Sequence, residues 1–428
     1  MLKKRNIVLI TLDSLRADHC SFMGYRRKTT PTIDKMAEKG LCFENAIASG
    51  VATPTSMFGI FTGDYPHASF EINRLDGNEW RKEISSKQTL AQFLRKKGYF
   101  TGAIHANPGV SRFFGFNRGF NYFKDFMDER KENRVLARLF SKLKLYSFYM
   151  NLRAVIKKEA TSTDSRKLIP EVINFKKKAK EPYLLWVLLL ETHIPYIAPK
   201  NFRKWGSKYT INLIYQNWKI RRNYMNPSRI SESDRKKIID AYDDTIFYAD
   251  KIIQELWHIL EESDPIFIIH ADHGEGFGEH GFYYHPPMLY EELIHVPLIV
   301  YNADIEKGKR KKPVSLLGVA PSILELIGEK NEFPSRSFLN DGEDWVISKV
   351  FNGSRWKIAI RTERWKFIVG QKEEDELFYL KDDPLEQRNV VDRYPELANE
   401  MRKIIKLHLS QESKKAMVRD KIKKIRLK

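Results

Sequence analysis

Cysteine is almost missing: Cys20 and Cys42 are the only two in 428 residues, and no CxxC spacing occurs. This excludes a disulfide framework and a structural zinc knuckle, and it leaves two buried free thiols as the ordinary reading. Long apolar runs are missing too. The longest, Tyr183–Leu190 (YLLWVLLL), falls far short of the ~20 residues that a membrane-spanning helix requires. Met1–Arg5 is basic, but Asp13 breaks the apolar run Ile7–Leu12 and no small-residue cleavage site follows. The sequence therefore predicts an uncleaved cytoplasmic protein with no signal peptide and no transmembrane segment. Carboxylates are the scarcer charge, 55 Asp and Glu against 74 Lys and Arg, for a net +19. Such a balance suits nucleic acid, an anionic membrane surface or an anionic substrate. No recognised nucleic-acid motif accompanies it, so no specific nucleic-acid partner is expected. Repeats and low-complexity linkers are absent, and nothing in the sequence reports an oligomeric state. A hydrophobic content of 42%, with 12% aromatics, excludes a largely disordered chain.

Within those limits, apolar runs alternate with helical periodicity. Asn6–Leu12, Tyr99–His105, Pro182–Leu190, Pro265–His270 and Val296–Tyr301 read as buried strands. Pro31–Lys39, a segment starting at Thr53, Thr89–Lys97 and Asp234–Glu262 read as helices, and Lys131–Lys180 as a basic helical stretch. Alternation of this kind predicts an α/β fold with a large, mostly parallel sheet flanked by helices. After about residue 335 the pattern changes. Trp356–Ile360, Trp365–Gly370 and Glu376–Leu380 are short strands close together, followed by a helix from Pro395 to about Leu409. The expected division is a catalytic α/β domain over 1–334, a small C-terminal α+β subdomain with an antiparallel sheet over 335–410, and a basic tail over 411–428.

In open α/β sheets, sites form at the carboxyl ends of strands. Here those ends carry Asp13 (LITLDSLRADH), Glu191 and His193 (LLLETHIPY), and Asp272 and His273 (IIHADHGEGFGEHG), with His285 downstream in FYYHPPMLYEE. Asp13, Asp272 and His273 offer two carboxylates and an imidazole, a donor set suited to one divalent cation; Ca, Mg, Mn and Zn all remain open. The series Gly274, Gly276, Gly278 and Gly281 would let backbone pass close to a ligand. Thr53 precedes Pro54, so it is expected to be an N-cap with Pro54 opening the helix. A hydroxyl there lies beside free N–H groups and the positive end of the helix dipole. With a metal alongside it becomes a candidate nucleophile toward an anionic ester.

These segments together resemble the sulfatase family of the alkaline phosphatase superfamily. The likeness runs through NIVLITLDSLRADHCSFMGY, TTPTIDKMAEKGLCFENAIAS, EPYLLWVLLLETHIPYIAP, AYDDTIFYADKII, ADHGEGFGEHG and ELFYLKDDPLEQRNVV, in that order. It implies an alkaline-phosphatase-like fold in which Asp13, Asp272 and His273 hold the metal. His193 would contact the ester's non-bridging oxygens, and His285 would contact substrate or protonate the leaving group.

The departures carry chemistry of their own. Ser14 stands where relatives have a second Asp. Aligning on Thr62-Gly63 puts Thr53 at the position that becomes formylglycine in sulfatases, with Met57 in place of an Arg, so formylglycine is not expected. Ser56 lies three residues on, as in threonine-using relatives of the superfamily. His105-Ala106-Asn107-Pro108 replaces the family's G-K-W-H segment. A threonine ester cannot eliminate sulfate as a formylglycine hydrate does, and must instead be attacked by water or an acceptor alcohol. The expected protein is a metal-dependent hydrolase of sulfate or phosphate esters, with Thr53 as a metal-bound nucleophile and a glycan or lipid head group as candidate substrates. A phosphoethanolamine- or phosphoglycerol-type transferase and an inactive binder of anionic glycans are the alternatives.

Overall fold

The computed structural model describes residues 4–66, 77–127, 164–340, 342–352, 355–371 and 373–426. Its centre is an eight-stranded sheet: β1 (Ile7–Leu12), β2 (Leu41–Phe43), β3 (Phe100–His105), β4 (Tyr122–Lys124), β5 (Tyr183–Leu189), β6 (Ile266–Ala271), β7 (Leu298–Tyr301) and β8 (Gly308–Arg310). The spatial order is β8-β2-β7-β6-β1-β5-β3-β4. The five strands from β6 to β4 run parallel, whereas β7 is antiparallel to both β6 and β2. The sheet is therefore mixed but mostly parallel. Every residue of β1, β5 and β6 is buried, as expected of strands covered on both faces.

The covering helices fall into two groups. Helices α1 (Pro31–Lys39), α4 (Ile169–Lys178) and α5 (Thr210–Asn223) each contact α6 (Glu232–Leu260), while α2 (Thr53–Thr62) contacts α3 (Leu90–Lys96) and α7 (Val319–Leu326). Helix α3 starts with a full capping box, in which Thr89 accepts from the Gln92 N–H and the Gln92 side chain accepts from the Thr89 N–H. The long helix α6 turns acidic side chains onto its neighbours. Asp250 accepts from the Thr32 and Ile33 N–H groups at the start of α1, and Asp244 accepts from those of Lys204, Trp205 and Gly206.

The C-terminal part is a four-stranded antiparallel sheet, β9 (Trp345–Asn352), β10 (Arg355–Thr362), β11 (Trp365–Gly370) and β12 (Glu376–Tyr379). Its residues alternate between two cores. Ile347, Ile358, Ile360, Phe367 and Leu377 join Ala398, Met401 and Ile405 of α8 (Pro395–Arg426), while Val346, Val350, Ala359, Ile368 and Phe378 enter the main core. Strand β9 is an addition to the expected elements. Val346 to Val350 are all buried, Ser348 and Lys349 included, so no polar alternation marks it. Helix α8 also runs on to Arg426 rather than ending near Leu409. Most of the stretch expected to be helical, 131–163, lies outside the described residues. No described helix is long and apolar enough to cross a membrane.

Candidate active site

Strand register brings the expected ligands together. Leu12 of β1 pairs with Ala271 of β6 and with Leu189 of β5, and Leu188 pairs with His105 of β3. Four adjacent parallel strands thus end at nearly one level, and Asp13, Asp272 and Asn107 lie just past their ends. Asp13, Asp272 and His273 are fully buried and offer ligand atoms that all lie within 4.8 Å of one another.

Each group is held from behind. Ser14, at φ 62°, directs its N–H to Asp272 Oδ1 at 3.1 Å and its hydroxyl to Asp13 Oδ1 at 2.9 Å. It therefore orients both carboxylates through hydrogen bonds. His273 directs Nδ1 at the Gly274 carbonyl at 2.9 Å, and with that bond donated its Nε2 lone pair faces the carboxylates, 3.6 Å from Asp272 and 3.8 Å from Asp13. Asp272 Oδ2 is buried with no hydrogen-bond partner. Burial and the nearby Asp13 charge push the Asp272 carboxyl up to about 7. Asp13 moves the other way: burial would raise it, but His193, His273 and His285 outweigh that and lower it. An orphaned carboxylate oxygen, a free imidazole nitrogen and two crowded carboxylates are the donors a divalent cation takes, so this set fits one.

Thr53 completes the cluster. Its Oγ1 lies 3.3 Å from Asp13 Oδ2 and 3.5 Å from His273 Nε2. The expected cap is shifted by one residue. Ala52 is extended and its carbonyl accepts the Ser56 N–H at 3.0 Å, so Ala52 is the N-cap and Thr53 the first helical residue, with no capping bond from its hydroxyl. The neighbouring hydroxyls point elsewhere, Thr55 to the Ala52 carbonyl and Ser56 to the Gly50 carbonyl. Met57 is fully buried, with its sulfur 4.0 Å from Thr11 Oγ1.

Two further imidazoles, those of His193 and His285, stand beside His273. The His285 ring centroid lies 4.4 Å from that of His273 and 5.5 Å from that of His193. Burial and the other two rings hold His285 well below the ordinary imidazole range. Its Nδ1 lies 3.1 Å from Glu275 Oε1, and Glu275 Oε2 accepts from Tyr196 OH at 2.7 Å.

A family model described as Sulfatase matches residues 5–329. The chain belongs to the sulfatase family. An arylsulfatase of Clostridium perfringens (strain 13 / Type A) is 23% identical over 458 aligned positions, covering 94% of each chain. Human arylsulfatase K is 24% identical over 453 positions, covering 92% of this chain and 80% of that one. The solved phosphonate monoester hydrolase of Agrobacterium radiobacter superposes with a TM-score of 0.70 at 17% identity, covering 95% of this chain and 96% of that one, which shows a shared fold. This sulfatase-family member is accordingly a hydrolase of sulfate or phosphate esters.

Glu191 does not join the cluster: it is buried, accepts from the Ser165 N–H and hydroxyl, and is pushed up to about 8 by burial. Within the glycine-rich loop, Gly274 and Gly276 are required by the protein's own packing. A Cβ on Gly274 would lie 2.0 Å from the Glu292 carbonyl oxygen, and one on Gly276 would strike the Phe282 ring. Two residues gain a role that their sequence position alone did not reveal. Asn107 Nδ2 donates to Asp13 Oδ2 at 2.6 Å and lies 3.4 Å from Thr53 Oγ1, and Glu275 backs His285. Asn107 follows a buried strand as Asp13 and Asp272 do, and that was its one available signal.

Proposed function

We propose that this sulfatase-family chain cleaves phosphodiesters or phosphonate monoesters in preference to sulfate monoesters, with Thr53 as nucleophile. The observation that carries the reading is the position of Thr53 Oγ1 against Asp13 and His273, while the hydroxyls of Thr55 and Ser56 are bonded to backbone carbonyls. A divalent cation held by Asp13, Asp272 and His273 would offset the charge of an anionic ester and lower the pKa of a hydroxyl beside it. Asp13 Oδ2 orients the Thr53 hydroxyl and accepts its hydrogen bond, and Asn107 fixes that carboxylate oxygen. As the bond from Oγ1 to phosphorus forms, the Thr53 proton passes to Asp13 Oδ2 and the bond from phosphorus to the leaving oxygen breaks. His193 stabilises the charge on the non-bridging oxygens. His285, oriented by Glu275, gives the leaving oxygen its proton. Water then attacks phosphorus as the bond from phosphorus to Oγ1 breaks; His285 takes the water's proton and Asp13 returns the proton that restores the Thr53 hydroxyl.

The preference for phosphorus rests on Thr53, whose ester must be released by attack of water, and on Met57, which leaves the core beneath the site without the Arg of formylglycine sulfatases. The fold-mate from Agrobacterium radiobacter is named for phosphonate chemistry, whereas the Clostridium perfringens and human relatives carry arylsulfatase names. A panel of aryl sulfate, phosphate monoester, phosphodiester and phosphonate substrates decides between them: phosphodiester or phosphonate should lead in kcat/KM, and a lead for aryl sulfate overturns the preference. Elemental analysis by mass spectrometry tests the ion separately. One divalent cation per chain is expected after dialysis, with most of it lost in Asp272→Asn.

A further inference from the structure

Forty residues separate Glu191 from Glu232, and they contain eight Lys or Arg and no Asp or Glu. This stretch carries α5, whose two faces are both apolar. One face buries Leu213, Ile214, Gln216, Asn217 and Ile220 in the protein, against α6 among others. The other bears Ile211, Tyr215, Trp218 and Arg222, spaced i, i+4, i+7 and i+11, which places them in one stripe along the helix. Ile211 is 59% exposed and Tyr215 51% exposed. Tyr215 stacks on Trp218 with ring centroids 5.8 Å apart, and the Arg222 guanidinium lies 5.4 Å over the Trp218 ring. At the ends of the helix Tyr209 is 73% exposed and Met225 46% exposed, and the exposed Lys208 and Arg222 place a cation near each end of the stripe.

An exposed apolar stripe on a surface helix is a binding face rather than a packing residue of the fold. Its composition selects the partner. Tyr and Trp take the water–lipid boundary, Ile211 and Met225 add aliphatic area that a sugar polymer does not need, and Lys and Arg keep their charge at the level of lipid phosphates. A second copy of the same face would bring two net cationic surfaces together and repel, even though Asp234 of α6 neutralises Lys219. We propose that α5 and its flanks dock this protein on an anionic lipid bilayer.

The C-terminal end of the docked helix touches the loop that carries His285. The Tyr224 carbonyl, at the end of α5, accepts the Tyr283 N–H at 2.8 Å, and the Tyr224 ring stands edge-on to Tyr284, the neighbour of His285. Arg221 also belongs to this stretch, with its Nε buried and without a hydrogen-bond partner. Docking through α5 therefore sets a cation and the His285 loop close to the lipid head groups. This inference does not depend on which ester is cleaved.

Sedimentation with vesicles tests it on the full chain. Vesicles of phosphatidylglycerol and phosphatidylcholine should carry the protein down, and phosphatidylcholine alone should not. A part of that binding should survive ~0.5 M salt, where the screening length is only a few Å, because apolar contact is not screened. Ile211→Ser with Tyr215→Ser and Trp218→Ser keeps the net charge and should weaken vesicle binding at least tenfold, while retention on immobilised heparin stays unchanged. The double variant Ile211→Ser with Tyr215→Ser spares the half-buried Trp218; it should keep the parental melting temperature and lose vesicle binding in part. The proposal is overturned if the wild type stays in the supernatant, if the double and triple variants sediment like wild type, or if heparin retention falls in step with vesicle binding, which would make the face a site for a soluble polyanion.

Discussion

At the scale of single residues, Thr53 carries two separable duties, and the structure weakens one of them. Ala52 is the cap, so the Thr53 hydroxyl contributes nothing to capping α2. Thr53→Ala loses a hydrogen bond to Asp13 worth ~0.5–1.5 kcal/mol and gains a good helix former. The fold and the metal content should therefore persist while kcat falls by several orders of magnitude. Thr55→Ala and Ser56→Ala are the controls and should stay within about tenfold of wild type, since their hydroxyls serve backbone carbonyls. Steady-state kinetics with a melting curve for each variant checks this, and an active Thr53→Ala ends the covalent route. The grouping of Asp13, Asp272 and His273 was legible in the sequence because each follows a fully buried, mostly apolar strand, and parallel register brings such positions together. Asn107 and Glu275 were not, because their part is set by side-chain hydrogen bonds that no sequence spacing announces, Asn107 to the distant Asp13 and Glu275 to His285 ten residues on. Glu191 has the same signature as Asp13 yet turns to Ser165, since a strand-end pattern does not say which way the chain leaves the sheet.

At the scale of elements, helix termini are completed by other helices as much as by their own caps. Thr30, the N-cap of α1, makes no capping bond from its side chain. Asp250 of α6 does that work, taking the Thr32 N–H at 2.8 Å and the Ile33 N–H at 3.0 Å. Asp250→Ala leaves two buried donors without an acceptor and should cost ~1–3 kcal/mol. Asp250→Asn keeps an acceptor oxygen and should cost less. Burial pushes the Asp250 carboxyl up to about 6, against the pull of the two N–H groups and Lys251. An acid raised in the folded state favours folding at pH below its unfolded value and loses that contribution as pH rises through the folded one. The stability of wild type relative to Asp250→Asn should therefore decline between pH ~4 and ~6 and then level off. Urea melts of both proteins across that range test the sign, and a rising difference would contradict it. The sequence showed α6 by its apolar stripe but not this use of its carboxylates, because period reveals the buried face and not the partner of a buried charge. Strand β9 escaped for a related reason: Ser348 donates to the Ala48 carbonyl and the Lys349 N–H donates to that of Ser49, so polar residues sit inside and period two is lost.

At the scale of the molecule, the C-terminal sheet is fastened to the main body by both kinds of contact. One of its faces belongs to the main core. Beside that apolar contact lies a buried charge cluster. Lys366 of β11, fully buried, lies 3.3 Å from Glu291 Oε1 and 2.8 Å from Glu386 Oε1, and Arg361 of β10 lies 3.3 Å from Glu291 Oε2. Glu291 belongs to the body, and its N–H donates to the Glu386 carboxylate at 2.6 Å. The carboxylates respond unequally. Burial would raise both, but Arg361 and Lys366 outweigh it at Glu291 and hold that group well below the usual range, whereas Glu386 is pushed up to about 7. Replacing one member of such a cluster costs more than its net contribution, because the partners stay buried without compensation. Lys366→Met should therefore destabilise by ~3–5 kcal/mol even though Met fills similar volume. Lys366→Met combined with Glu386→Gln should recover part of the loss, because the second change removes a charge that the first leaves unpaired. If the two parts form one cooperative unit, fluorescence and circular dichroism melts of wild type should coincide, and both should shift together in Lys366→Met. Two separated transitions in the variant would mean that the sheet is an independently stable appendage held by charge, and a loss under ~1 kcal/mol would mean that the shared apolar face holds it unaided.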